Sequence, residues 1–359
     1  MTWNTLHPSP SRAGAGGLRL RGGGHFDELL GLRTLVETEN ACALPGCTIK
    51  YDSFVPILRR AMSRGYVKDH HGFYVLNGLR NGFDVGGCRE ALRGRRVFRN
   101  YKSAYLGRES VTAAVDARVA AGKTIRIGKW SEVVSELNAL VEHYFVFPMG
   151  AVPKPHDPST LRPTSDHSKT GFNEHTILGI LKHSLDAYNL VCWFLKRGFL
   201  MYVSDVQDAF LLIPLAPWVW FFMLFRWFSD PDSETDDCLL AHLFGDFGTR
   251  GMPGTFKIFL VDVVVNMARS EMVFTLPLVI YVDDGALIGP DESETNAEMQ
   301  ALQHFTSEYT GVVWKLSKDK PAATSQHYIG FVWNSRDFTL CLEEKKILRY
   351  LVDLSNAST

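Results

Sequence analysis

One stretch constrains this chain more than any other: Leu278-Val279-Ile280-Tyr281-Val282-Asp283-Asp284-Gly285-Ala286-Leu287-Ile288-Gly289. Two apolar, β-prone runs flank a pair of adjacent carboxylates, which reads as a hairpin with Asp283 and Asp284 at its tip. Neighbouring carboxylates repel, and each pKa rises unless a cation lies between them. A tight turn that presents both, braced by buried strands, is a platform for a divalent metal. Mg²⁺ takes a few carboxylates together with phosphate oxygens in preference to a full protein cage. The same residues also read as a plain hairpin closure, since Asp-Gly is a favoured turn dipeptide.

Composition sets the frame for that stretch. At 359 residues, 46% hydrophobic and 21% charged, the chain has the balance of a globular protein with a sizeable core. It contains no run of about 20 apolar residues, and its N-terminus lacks a secretory-type apolar segment, so an intracellular protein (cytoplasm or nucleus) without a membrane span is expected. Six scattered cysteines fit free thiols in a reducing compartment; Cys42 and Cys47 form a lone pair with no second matching pair. The net charge of −1 conceals an asymmetry. Residues 1–130 hold 21 Lys/Arg against 10 Asp/Glu, and the remainder holds 17 against 29. A basic front beside an acidic back is what separate nucleic-acid-holding and metal-holding regions would give, although uneven solvated charge gives it too.

Along the chain, residues 1–25 form a Gly/Arg-rich tail expected to be disordered. In 26–129 short apolar clusters alternate with glycines. Within it, Arg89–Arg108 interleaves Arg93, Arg95, Arg96, Arg99 and Lys102 with Phe98, Tyr101 and Tyr105. That strip suits phosphates and bases, or equally one solvated amphipathic helix. Trp130, Val133, Val134, Leu137, Leu140 and Val141 recur at helical spacing. Lys154 and Arg162 fall on two short strands joined by His156–Thr160; paired cations on a hairpin suit a triphosphate, or are two surface charges. Residues 184–199, with Leu185, Leu190, Val191, Trp193, Phe194 and Leu195, read as a buried helix. A strand then ends at Asp205, and Trp218–Phe228 continues as hairpin strands before the acidic loop Ser229–Asp237. Gly248, Gly251 and Gly254 open an apolar helix running to about Arg269 and allow close backbone approach to a ligand, or simply start a helix. Glu292–Tyr309 reads as a helix, Tyr328–Trp333 and Phe338–Leu342 as a terminal hairpin, and Glu343–Leu354 as the start of another helix.

The succession of Asp205, a Gly/Pro turn-helix and Tyr281-Val282-Asp283-Asp284, with 78 residues between Asp205 and Asp283, resembles a reverse transcriptase. Asp205-Val206-Gln207-Asp208-Ala209-Phe210-Leu211-Leu212-Ile213-Pro214-Leu215 is similar to that family's first palm motif. Arg162-Pro163-Thr164-Ser165-Asp166-His167-Ser168-Lys169-Thr170-Gly171-Phe172-Asn173, the Phe247-Gly248 opening of the second motif, and Gly78-Leu79-Arg80-Asn81-Gly82-Phe83-Asp84-Val85-Gly86 resemble retrotransposon enzymes of the tyrosine-recombinase (DIRS-like) group. The likeness covers about Tyr74 to Leu354 and is strongest from Val152 to Trp333.

The resemblance implies an α+β right-hand polymerase with an antiparallel palm sheet backed by helices. Its parts would be a basic region leading into the fingers over 26–129, fingers over 130–199, palm over 200–334, and a terminal hairpin strand with the start of a truncated thumb over 335–359. It implies RNA-directed DNA polymerase activity, with two Mg²⁺ ions (Mn²⁺ able to substitute) at Asp205, Val206, Asp283 and Asp284. Lys154, Arg162, Asp208, Phe210 and Gly248 would meet the dNTP, Phe210 as the gate against a 2′-OH. Lys318 would protonate pyrophosphate, and Tyr328-Ile329-Gly330 would grip the primer. The implied partners are a primed RNA or DNA template and dNTPs, with RNase H or recombinase domains of the same element supplied separately. Two departures stand out: Phe247 replaces the glutamine usual in retroviral enzymes, and the helix after Leu342 is short for a thumb. A catalytically idle retroelement relic that binds nucleic acid is the alternative; an RNA-dependent RNA polymerase is disfavoured by Phe210 and the Tyr-Val-Asp-Asp form.

Overall fold

A computed structural model describes residues 24–154, 157–183, 186–230, 233–344, 346–348 and 350–351. The readings for residues 1–23, His156, Leu185 and the helix beyond 351 lie outside them. The fold is mixed α/β, with several sheets and surrounding helices.

Region 26–129, which reads poorly as sequence, is strongly helical: Asp27–Thr38, Tyr51–Ser63, Asp69–Asn81 and Arg108–Ala120. The helices Tyr51–Ser63 and Asp69–Asn81 have a clear task. The segment Ile258–Val265 (Ile-Phe-Leu-Val-Asp-Val-Val-Val) is apolar nearly all round, and such a helix is stable only when covered. It lies in a continuous helical run from Met252 to Ser270 whose middle is wound as a π-helix. Phe54, Leu58, Val75 and Leu79 join Phe256, Phe259 and Val263 in one buried core, with the Phe54 and Phe259 rings stacked at 5.9 Å.

The largest sheet has five strands in the order Arg95–Val97, Tyr144–Phe147, Leu224–Trp227, Cys238–His242, Thr124–Lys129. Its first two pairings are parallel and the other two antiparallel. Both edges therefore come from residues before 130. A second sheet is fully antiparallel, in the order Lys320–Ala323, Leu200–Asp205, Asp284–Gly289, Leu278–Tyr281. The helix Glu292–Phe305 lies against it, started by Asp291, whose carboxylate accepts from the Glu294 amide at 2.9 Å. Ser325–Tyr328, Phe331–Asn334 and Thr339–Leu342 make a third sheet, and Met149–Lys154 pairs with Asp157–Ser165.

Several local readings change. The Arg89–Arg108 strip is neither one amphipathic helix nor a row of free cations. It contains the strand Arg95–Val97 and the short helix Lys102–Leu106. Arg95 donates to the carbonyl of Asn138 at 2.8 Å, Arg96 to that of Thr170 at 2.6 Å and Arg108 to that of Ser233 at 2.6 Å. Tyr101 and Tyr105 spend their hydroxyls on Asp166 and Asp236. The helix expected over 184–199 is Ala187–Phe194, and it is only half buried: Trp193 is 80% exposed, with Leu190 and Tyr188 also open. Apolar content alone does not distinguish a core helix from one lying on the surface of a sheet. Within Trp218–Phe228 only Leu224–Trp227 is a strand; Pro217–Trp220 is a helical turn with proline at its start. In the two-stranded arm formed by Met149–Lys154 and Asp157–Ser165, the second strand begins at Asp157, earlier than the expected His156–Thr160 loop allows. All six cysteines are free, and among the described residues no helix is long and apolar enough to cross a membrane.

Candidate active site

Leu200–Asp205 is an inner strand of the four-stranded sheet, buried from Met201 onward. Its last residue, Asp205, is 7% exposed and lies directly opposite Asp284 on the neighbouring strand. Asp284 also pairs with Tyr281, so the turn consists of Val282 and Asp283 alone. Asp283 is thus at the tip, whereas Asp284 is the first residue of the return strand. Sequence does not reveal that offset, because both residues suit a turn.

Like charges opposed across strands destabilise a sheet, so the arrangement must be held. The Val206 amide donates to the Asp283 carbonyl at 2.9 Å, stitching the two carboxylate-bearing segments together. The Tyr328 hydroxyl reaches the carbonyls of Val279 and Asp284 at 3.1 and 3.2 Å. Trp314 lies beneath Gly285, where a Cβ would come within 2.9 Å of its ring. Val282 is left at φ +58°, a left-handed conformation that a β-branched residue takes only under constraint.

One oxygen from each of Asp205, Asp283 and Asp284 lies within 4.8 Å of the others. Burial, then the neighbouring carboxylates, push the Asp284 pKa up to about 6, and burial followed by Asp205 raises that of Asp283. The group therefore carries repulsion that a cation would relieve. Three hard oxygen donors at this spacing fit a hard divalent ion. Lys318 answers part of the charge: its ammonium pairs with Asp205, and that hydrogen bond raises its own pKa. The Lys318 segment is fixed from behind by Asp319, which accepts from Tyr202 at 2.9 Å, Ser204 at 2.5 Å and Gln303 at 3.0 Å. Sequence reading passed over Asp319, although its place between Lys318 and Lys320 was a signal.

After Val206 the chain turns sharply, with Asp208 exposed at φ +59° and Ala209 at φ +26°. Phe210 is 4% exposed; its ring meets Phe247 at 4.7 Å and Phe256 at 5.5 Å. Phe247, 45% exposed, covers it. Lys154, Arg162 and Phe247 line a cavity of about 680 Å³. Asp205, Asp284 and Lys318 line another, of about 700 Å³. The expected site residues are thus gathered in two places, with the Phe210–Phe247 contact between the segments that carry them. Gly248, expected to admit a nucleotide, makes a close approach within the chain itself. At φ +100°, a Cβ there would meet the Ser165 carbonyl oxygen at 2.2 Å, so the glycine seats this loop on the arm. Gly251 and Gly254 likewise press on the backbone of Val85 and Leu181.

Beneath Phe247-Gly248 is a buried polar cluster that sequence reading missed. Asp246 is 2% exposed and accepts from the Ser165 hydroxyl. Arg118 Nη1 lies 3.1 Å from it, His242 Nε2 3.5 Å and His167 Nε2 3.8 Å. Burial alone would raise the Asp246 pKa, but the Arg118 guanidinium outweighs it and holds the carboxyl well below its usual range. Burial pushes His242 down to about 3, so its ring is neutral, and its Nδ1 meets the Thr124 hydroxyl at 2.8 Å. An aspartate immediately before a Phe-Gly turn was the available signal.

No family model matches the sequence, and no curated protein matches it. Among solved structures, the foamy viral protease-reverse transcriptase in complex with dsDNA is similar, with a TM-score of 0.54 and 15% identity over 76% of this chain and 52% of that one. The dRH form with ds DNA gives 0.53 and 15% over 73% and 38%. The complex with RNA/DNA hybrid gives 0.52 and 14% over 73% and 30%. The fold is reverse transcriptase-like. At these identities the likeness speaks to fold alone, and the chain spans about half or less of the foamy viral chains it matches.

Proposed function

We propose that this chain is the RNA-directed DNA polymerase domain of a retrotransposon, of the tyrosine-recombinase type its motif wording resembles. The observation that carries the proposal is the cross-strand registration of Asp205 with Asp284 beside Asp283, three oxygen donors within 4.8 Å of one another on a reverse transcriptase-like fold. In this reading the sheet bearing them is the palm, the Met149–Ser165 arm belongs to the fingers, and a primed template and dNTPs are the substrates. Asp205, Asp283 and Asp284, with Val206, would hold Mg²⁺ or Mn²⁺. Bound there, the metal would lower the pKa of the primer 3′-OH and stabilise charge on the triphosphate.

The chain's own groups do the rest. Lys154 and Arg162 bind phosphate oxygens, while Phe210, kept in place by Phe247 and Phe256, fills the volume a 2′-OH would need. Asp208 and Gly248 shape the path around the nucleotide. Lys318, already beside Asp205, supplies a proton or positive charge near the departing pyrophosphate. Tyr328-Ile329-Gly330 steadies the primer end.

The test is primer extension on an RNA template with dNTPs in Mg²⁺ and then Mn²⁺, beside the Asp283→Asn/Asp284→Asn double variant. Extension by the wild type and none by the variant supports the polymerase. A wild-type protein that binds primer–template without extending it supports the idle relic, and equal extension by both removes the site assignment.

A further inference from the structure

The cavity of about 680 Å³ beside Phe247 has three cations in its lining, Arg118, Lys154 and Arg162, against one carboxylate, Glu109. Arg118 belongs to none of the motifs. It comes from the helix Arg108–Ala120, remote in sequence from the arm that carries the other two. Its guanidinium is anchored on one side only. Nη1 lies 3.1 Å from the Asp246 carboxylate and 3.4 Å from His242 Nε2. Among the described residues Nε and Nη2 take no protein acceptor, and neither is a fully buried orphan. Arginine presents five N–H groups in a rigid planar fork, so a carboxylate on one edge orients the remainder toward a second anion. Asp246 also accepts from Ser165 at the end of the arm strand, so one buried carboxylate fixes Arg118 relative to the strand bearing Arg162. Even with Asp246 counted, the lining keeps a surplus of positive charge.

We propose that Arg118 is a third phosphate-binding cation of this pocket, positioned by Asp246, and that its ligand is the polyphosphate tail of a nucleoside triphosphate. The identity of the ligand rests on the polymerase reading above; the anion site rests on the geometry of the cavity.

The test uses the full chain and two probes: dNTP in steady-state primer extension, and inorganic triphosphate as a competitor and in direct titration. A charge-assisted hydrogen bond lost to phosphate weakens binding by about tenfold or more. Arg118→Gln is therefore expected to raise the KM for dNTP and the Ki of inorganic triphosphate together by that factor, with kcat falling far less. Arg118→Lys is expected to recover part of both. A purely structural Arg118 would lower kcat and stability together and leave the Ki of triphosphate where it was; that result overturns the proposal. If Arg118→Gln does not fold because Asp246 is left unpaired, Arg118→Gln/Asp246→Asn removes both charges and takes its place. Wild-type extension with a triphosphate Ki indifferent to Arg118 sinks this inference alone. A wild type that neither extends primers nor binds triphosphate sinks the polymerase reading with it.

Discussion

Replacing Asp284 by Asn is expected to stabilise the metal-free protein and to reverse its rank against the wild type once metal is added. The Asp284 pKa is pushed up to about 6 by burial and by Asp283 and Asp205. Relative to an ordinary aspartate at about 3.9, that departure corresponds to about 3 kcal/mol at full burial. The group is partly open to solvent, so screening reduces it to about 1–2 kcal/mol. A raised native pKa means that the folded state holds the proton more tightly than the unfolded one. Its favourable contribution is complete below about pH 4 and is lost as pH rises through about 6. At pH 7.5 the native protein bears the whole repulsion, and Asn removes it. With unfolding entropy near 2.1 cal/mol/K per residue over 359 residues, Tm rises by about 2 °C. Mg²⁺ at a hundred times its Kd then adds about 2.7 kcal/mol to the wild type and little to the variant, which exceeds the variant's lead and reverses the rank. Calorimetry from pH 5 to 8, with and without Mg²⁺, measures both effects. A variant no more stable than wild type at pH 7.5 without metal refutes the electrostatic account. Equal stabilisation of both by Mg²⁺ refutes the metal site.

The other predictions concern neighbouring residues. Lys318→Ala frees Asp205 from its ammonium partner, so Mn²⁺ binding followed by electron paramagnetic resonance is expected to tighten while primer extension slows; weaker Mn²⁺ binding contradicts that competition. Val282→Gly relieves a left-handed φ of +58°, a strain worth about 1–3 kcal/mol. Its Tm is therefore expected to hold or rise, whereas Val279→Gly, in the same hairpin and 1% exposed, is expected to lower Tm by several degrees. Phe210→Ala is expected to raise ribonucleotide incorporation relative to deoxyribonucleotide; an unchanged ratio in single-nucleotide extension removes Phe210 as the gate.

The elements that position the carboxylates were legible because each is dictated locally. Leu278–Ile280 and Ala286–Ile288 are β-prone on either side of the turn, and the Trp130–Leu140 helix follows from spacing alone. What sequence could not supply is pairing. The opposition of Asp205 to Asp284 is a register between strands far apart in the chain. The same applies to Asp246, whose partners Arg118, Ser165 and His242 come from three separate elements. The glycines show the same limit: Gly248, Gly251 and Gly254 signal close approach, but not to what. The covering role of the N-terminal helices was hidden because it answers an apolar segment about 200 residues later. The aromatic, apolar segment around Trp193 suggested burial, and only the tertiary arrangement shows its outer face open to solvent.

The five-stranded sheet has a consequence for how the chain is made. Among the described residues Thr124–Lys129 pairs only with Cys238–His242, so during synthesis it waits for more than a hundred further residues. At typical elongation rates of about 5–20 residues per second, that delay is on the order of ten seconds. Throughout it, a strand edge that carries Ile125 and Ile127 is unpaired beside a nascent core. Non-local pairing of this kind slows folding and invites association with other chains, so the ribosome-bound stage is where a holdase would matter most for yield.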